Sequence, residues 1–204
     1  NVTGLHPFII TLGTQAIFRG ATLIVSNSSA VFGFPASFTK SISASVLGIP
    51  VIAIVAIIVA LILAFLTIKT KLGRNIYALG GNKESAWYSG INVKLHTLIV
   101  FIISGLCAGI AGIVLLGRVG SAEPAAATGF ETYAIAAAII GGTSFFGGKG
   151  KIHGVVVGGL IIGVINYGMN ILSLSSTLQQ VVMGALIIGS VALDRFVGSK
   201  NTSK

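Results

Sequence analysis

Two long apolar runs frame one polar stretch. Residues 51–68 carry no charge in 18 positions, and residues 95–117 carry none in 23 apart from a partial charge on His96. As helices rising ~1.5 Å per residue, they reach ~27 and ~34 Å, close to the ~30 Å hydrocarbon core of a bilayer. Between them, residues 73–93 read GRNIYALGGNKESAWYSGINV, polar and basic. Held between two spans, this stretch is predicted to be a loop that serves as a docking surface at a membrane face. Four further segments follow from the same hydropathy pattern, at 6–25, 133–146, 152–172 and 178–193. The first of these includes Gly13 and Arg19, and the 133–146 segment is short and interrupted by Gly141-Gly142.

Composition strengthens the membrane reading. Charged residues make up 8% of the chain and hydrophobic ones 54%, against roughly 25% charged in soluble domains. Thirteen basic and four acidic residues cannot cover a soluble surface. The predicted fold class is all-α, a polytopic transmembrane bundle containing short or broken helices. Cys107 lies inside a predicted span and reads as a small packing residue. The chain opens on Asn1 and runs straight into apolar sequence, with no signal-peptide pattern, so it reads as the C-terminal part of a longer polypeptide.

Charge then orients the spans. If all six segments cross, one set of loops collects Lys69, Lys71, Arg74, Lys83, Lys94, Lys149, Lys151, Arg195, Lys200 and Lys204, and the other only Lys40 and Arg118. Ten against two predicts that 73–93, the 147–151 turn and the tail from Arg195 to the C-terminus are cytoplasmic, with 119–132 outside. A re-entrant hairpin at 133–146 would flip every later loop and leave five against seven. A short crossing, or a broken helix buried in the bundle, is therefore expected there. The net charge of +9 reads as orientation and attraction to anionic membrane lipid. No basic stripe interleaved with aromatics suggests nucleic acid.

Small residues at four-residue spacing predict close helix packing: Gly105, Ala108, Gly109 and Gly112 on one span, and Gly150, Gly154 and Gly158, then Gly159 and Gly163, on another. Catalytic constellations are lacking. The acidic residues are Glu84, Glu123, Glu131 and Asp194; His6, His96 and His153 are far apart; no Cys/His cluster has metal-ligand spacing. Neither Gly141-Gly142-Thr143-Ser144 nor Gly147-Gly148-Lys149-Gly150 fits the GxxxxGK[ST] phosphate loop. No cofactor or metal is called for. Asn27-Ser28-Ser29 and Asn201-Thr202-Ser203 match the glycosylation pattern without other support.

Polar side chains within spans are the remaining candidates, because they are costly in lipid and face the bundle interior or a water-filled route. Asn166, Tyr167 and Asn170 share one segment, with both asparagines on one face; Gln15 and Arg19 repeat the four-residue spacing. For Asn166 and Asn170, interhelical hydrogen bonding and a place on a solute pathway are both open. Arg19 is expected to pair with Glu131 or a lipid headgroup.

Three motifs in order carry a family resemblance: Pro7-Phe8-Ile9-Ile10-Thr11-Leu12-Gly13-Thr14 with Arg19-Gly20; Gly73-Arg74-Asn75-Ile76-Tyr77-Ala78-Leu79-Gly80-Gly81-Asn82 running to Ser89-Gly90-Ile91-Asn92-Val93; and Glu131, Ala134-Ile135-Ala136-Ala137 and Ile140-Gly141-Gly142-Thr143-Ser144. Together they resemble the membrane permease subunits of bacterial ABC importers for ribose, galactose and related simple sugars. The part from Asn166-Tyr167-Gly168 to Ala192-Leu193-Asp194 looks most like the galactose and methyl-galactoside permeases. Full members of that family are about half as long again, so N-terminal spans are expected upstream. One departure is Ser85-Ala86 where the family usually has two alanines, with Trp87 at a usually basic or polar position.

The resemblance implies a non-catalytic translocation subunit in the bacterial cytoplasmic membrane. Its partners would be a second permease subunit, cytosolic ATP-binding subunits and an extracytoplasmic sugar-binding protein. The 73–93 stretch becomes the coupling element. Within it Asn82, after Gly81, is an N-cap candidate and Glu84 suits the helix dipole, giving a short helix at 83–89 ended by Gly90. Ala86 is expected to be a small contact, and Trp87 or Tyr88 an aromatic anchor. Alternatives are a branched-chain amino-acid permease of the same class, an ion-coupled secondary transporter and a membrane scaffold. The spans hold little ionisable besides Arg19, which disfavours ion coupling.

Overall fold

The computed structural model describes residues 7–145 and 147–200, with side chains at 9–145 and 147–192. Helix dominates: α1 (Pro7–Val25), α2 (Ala36–Ser43), α3 (Val51–Lys69), α4 (Lys71–Gly81), α5 (Lys83–Tyr88), α6 (Val93–Val119), α7 (Phe130–Ile140), α8 (Ile152–Ile171) and α9 (Ser176–Lys200). His6 and Phe146, which bound two predicted segments, lie outside the described residues. Among the described residues, three helices, α3, α6 and α8, are long and apolar enough to cross a membrane, and α1, α7 and α9 contain shorter apolar stretches. Their exposed faces, with Leu61, Phe65, Phe101, Leu106 and Leu160 among many others, suit lipid rather than water.

The chain divides into two compact units, residues 1–57 with 98–128, and residues 58–97 with 129–204. In the first, α1 contains hydroxyls that its apolar setting cannot hydrate. Thr14 donates to the Ile10 carbonyl at 2.7 Å and Thr22 to the Phe18 carbonyl at 2.8 Å, so each is satisfied one turn back. Arg19 donates to Thr128 Oγ1 at 2.6 Å. A two-residue bridge, Val31 with Ala122, closes this unit through paired bonds of 2.9 Å. Among the described residues, a small antiparallel ribbon, β1 (Ser45–Val46) and β2 (Ile49–Pro50), also interrupts the helices. Its turn, Leu47-Gly48, has positive φ at both residues, 54° and 80°, as a type I′ hairpin turn requires.

In the second unit α7 is the centre of packing, lying against α8 and α9. Ala136 is fully buried, and with Ala137, Ile162, Met169 and Met183 forms the core. The reason is size. A Cβ at Gly158 would strike the Ala137 carbonyl, and a Cβ at Gly141 or Gly154 would strike the other's carbonyl oxygen, so alanines and glycines let the α7 and α8 backbones touch. At 11 residues α7 is ~16 Å long, about half the hydrocarbon thickness. It starts earlier and stops sooner than the segment expected at 133–146, because Gly141-Gly142 end the helix instead of interrupting it. Gly141 ends it as C-cap and the chain leaves through Gly142 at φ 82°.

Candidate functional site

The predicted 73–93 loop is two consecutive helices, α4 and α5, meeting at Asn82. Sequence reading underestimated α4 because its glycines look like loop. They are instead contact points. Thr70 caps α4 by accepting from the Gly73 amide at 3.2 Å, and a Cβ at Gly73 would collide with the Thr67 backbone, so the corner out of α3 can turn this tightly only with glycine there. Asn75 and His96 approach at 3.0 Å through Nδ2 and Nε2, while His96 Nδ1 is 2.8 Å from the Asn92 carbonyl. One neutral tautomer satisfies both contacts, with Nδ1–H donating to the carbonyl and Nε2 accepting from the amide. The Tyr77 hydroxyl donates to the Gly150 carbonyl at 2.8 Å.

α5 begins as expected: Asn82 Oδ1 accepts from the Ser85 amide at 2.9 Å, and Glu84 lies in the first turn. Its end is equally well defined. Gly90, at φ 80°, donates to the Trp87 carbonyl at 2.9 Å, and Ile91 to the Ala86 carbonyl at 3.0 Å. Those two bonds make a Schellman termination, which needs a left-handed residue where Gly90 sits. Helix bounds are Lys83–Tyr88, one residue shorter than expected.

Ala86 corrects an expectation. It is 4% exposed, so its methyl is turned into the chain and is not presented as an external contact. Trp87 and Tyr88 are presented, at 63% and 79% exposure. Their rings meet edge to face, centroids 5.0 Å apart and planes at 67°, a geometry that holds two large amphipathic groups in a fixed relation. Gly81, Asn82 and Glu84 are exposed beside them.

The candidate pathway residues have separate environments. Asn170 Oδ1 accepts from Gln179 Nε2 at 3.0 Å, and the same Nε2 reaches the Leu174 carbonyl at 3.0 Å. Asn170 thus ties the end of α8 to the start of α9, and Gln179 is a partner that sequence spacing could not reveal. Asn166 is half-buried, and its side-chain amide makes no hydrogen bond among the described residues. Tyr167 is exposed on α8. Gln15, exposed on α1, belongs to the other unit. That unit also holds a hollow of about 440 Å³ whose lining includes Phe18, Val25, Val31, Glu123 and Pro124. Its apolar walls suit a hydrocarbon better than a polyhydroxylated solute.

A family model described as branched-chain amino acid transport system / permease component matches residues 1–191. Among curated proteins, the chain is 66% identical over 197 residues to the D-allose transport system permease protein AlsC of Escherichia coli strain K12, covering 97% of this chain and 60% of that protein. It is 42% identical over 193 residues to the ribose import permease protein RbsC of Bacillus subtilis strain 168, covering 94% and 60%. The L-arabinose transport system permease protein AraH of Escherichia coli strain K12 is 38% identical over 192 residues, covering 94% and 58%. The chain therefore spans about three-fifths of the length of the curated relatives it matches. No solved structure matches it.

Proposed function

We propose that this chain, which belongs to the family of branched-chain amino acid transport system permease components, is the membrane-spanning part of an ATP-driven importer that moves a simple sugar into the cytoplasm. The observation that carries the substrate class is the 66% identity to a D-allose permease over nearly the whole chain. Similarity to ribose and L-arabinose permeases extends that class to small neutral monosaccharides.

In this reading the α4–α5 corner faces the cytosol and receives a separate ATP-binding subunit. Trp87 and Tyr88 fill a groove on that partner, as exposed aromatics do at interface centres, while Asn82, Glu84, Ala86 and Gly90 keep α5 short and fixed. Gly81 lets the partner approach the corner. Two permease subunits form the route, an extracytoplasmic binding protein delivers the sugar, and Asn166, Tyr167, Asn170 and Gln15 offer polar groups along it. The C-terminus is cytoplasmic on the basic-residue bias.

The test is reconstitution of the full-length permease with its ATP-binding subunit and binding protein. Uptake of labelled D-allose or ribose should require ATP and persist when ion gradients are collapsed. Trp87→Ala with Tyr88→Ala should release the ATP-binding subunit. Uptake that follows a proton or sodium gradient without ATP would replace this function with the ion-coupled alternative. Retention of leucine rather than sugar by the binding protein would move it to the amino-acid branch.

A further inference from the structure

Gly80-Gly81, at the end of α4, and Gly147-Gly148, between α7 and α8, meet backbone to backbone. A Cβ on Gly80 would lie 2.6 Å from the Gly148 nitrogen, one on Gly147 would lie 2.7 Å from the Gly80 oxygen, and one on Gly148 would lie 2.8 Å from the Gly81 Cα. Gly147 and Gly148 also hold φ of 92° and 71°, which side-chain-bearing residues rarely adopt. One turn before the crossing, the Tyr77 hydroxyl bonds the Gly150 carbonyl. The turn it grips is internally closed, because the Ser144 amide bonds the Lys149 carbonyl at 3.0 Å and the Gly147 amide bonds the Ser144 carbonyl at 3.2 Å. Beyond the turn, Gly141 against Gly154 and Ala137 against Gly158 continue the same kind of contact into α7 and α8.

A path made of backbone contacts transmits displacement differently from one made of side chains. Side chains yield by changing rotamer. Touching peptide groups have no such freedom, so moving α4 must either drag the 141–150 turn or separate it. We propose that the Gly80-Gly81 and Gly147-Gly148 crossing, latched by Tyr77, is the joint through which movement of the α4–α5 corner reaches α7 and α8. Tyr77 and Gly80 are then positioning residues for transport, although neither meets ATP or sugar. The proposal rests on α4–α5 being the coupling element.

The experiment uses the full-length permease reconstituted with its ATP-binding subunit and binding protein, and measures sugar moved per ATP hydrolysed alongside melting temperature and subunit co-purification. Tyr77→Phe removes one hydroxyl and nothing else. It should lower sugar moved per ATP about 2- to 12-fold, the factor by which losing one hydrogen bond shifts a two-state equilibrium, while the ATP-binding subunit still co-purifies and the melting temperature falls by no more than about 6 °C. Gly80→Ala, which wedges the crossing itself, should lower the same ratio further. Trp87→Ala should instead shed the ATP-binding subunit. A wild-type ratio in Tyr77→Phe and Gly80→Ala, beside a Trp87→Ala that sheds the subunit, overturns the joint and leaves the coupling element standing. A fall in the ratio that only tracks a lowered melting temperature also overturns it, as static packing. If Trp87→Ala retains the subunit, the coupling element fails and the joint fails with it.

Discussion

Adjacent glycines on α8 offer a clean measure of how much the α7–α8 contact depends on backbone touching backbone. Gly158 and Gly159 are both helical, and Gly→Ala at either should gain about 0.5–1 kcal/mol of helix propensity. Their surroundings differ. A Cβ at 159 meets nothing within 4 Å, whereas one at 158 would lie 2.8 Å from the Gly141 nitrogen and collide with the Ala137 carbonyl. Optimal non-bonded carbon separations are ~3.5–4.0 Å, and no rotamer change can move a peptide group aside. The helices must part, loosening the Ala136, Ala137 and Ile162 core at an overpacking cost of about 1–3 kcal/mol. Propensity cancels between the two variants, so their difference is the overpacking cost alone. At roughly 2–4 °C per kcal/mol, Gly158→Ala should melt about 2–12 °C below Gly159→Ala when the detergent-purified full-length permease is heated and followed by size exclusion. Gly159→Ala should melt at or above the parent. Equal melting temperatures would refute the claim that α7 and α8 meet through their backbones.

Four further outcomes follow from the site. Gly90→Val forces a β-branched residue to φ 80° at about 1–2 kcal/mol, so co-purification of the ATP-binding subunit should fall about 5- to 30-fold, while Gly90→Asn, which tolerates the left-handed region, retains most of it; equal recovery from both would remove the termination of α5 from the coupling account. Lys83→Cys should react with a membrane-impermeant maleimide only after cells are opened, and labelling from outside intact cells would invert the topology. In a double-mutant cycle, Asn170→Leu and Gln179→Leu should couple by about 0.6 kcal/mol and at most ~1.7, and strict additivity would deny the tie; Asn166→Leu should leave the melting temperature unchanged yet slow uptake, and normal uptake would take Asn166 off the route.

Much of this was legible because it depends on local rules. Charge-free runs of bilayer length are set by the solvent they must meet, and α3 and α6 match the predicted spans to within a few residues at each end. Asn82 and Gly90 act within one turn of themselves. A cap needs only a side-chain oxygen at the right offset, and a left-handed stop needs only a residue without a Cβ, so both ends of α5 could be placed from sequence to within a residue.

Long-range contact was not legible, and the glycines show why. In a one-dimensional reading Gly73, Gly80 and Gly81 mean chain flexibility, and they disguised α4 as a loop. In three dimensions Gly73 is pressed on Thr67 and Gly80 on Gly148, so the missing Cβ serves a neighbour 68 positions along the chain in the second case rather than local bending. Ala86 was misjudged for the same reason. A small residue in a polar stretch suits an outside partner or an inside one equally well, and here Ala86 is buried within the chain. Asn170 likewise has a partner, Gln179, that lies on the next helix and off any periodic pattern. What sequence could identify was therefore the long apolar helices and the ends of α5, while α2, α4 and the β1–β2 ribbon were hidden from it, and the function of small and amide-bearing residues depends on which distant backbone or side chain they meet. The coupling proposal divides along the same line: Trp87 and Tyr88, exposed on a locally specified helix, can be replaced without disturbing the fold, whereas Gly80 and Gly158 cannot, because each has a peptide group where its side chain would be.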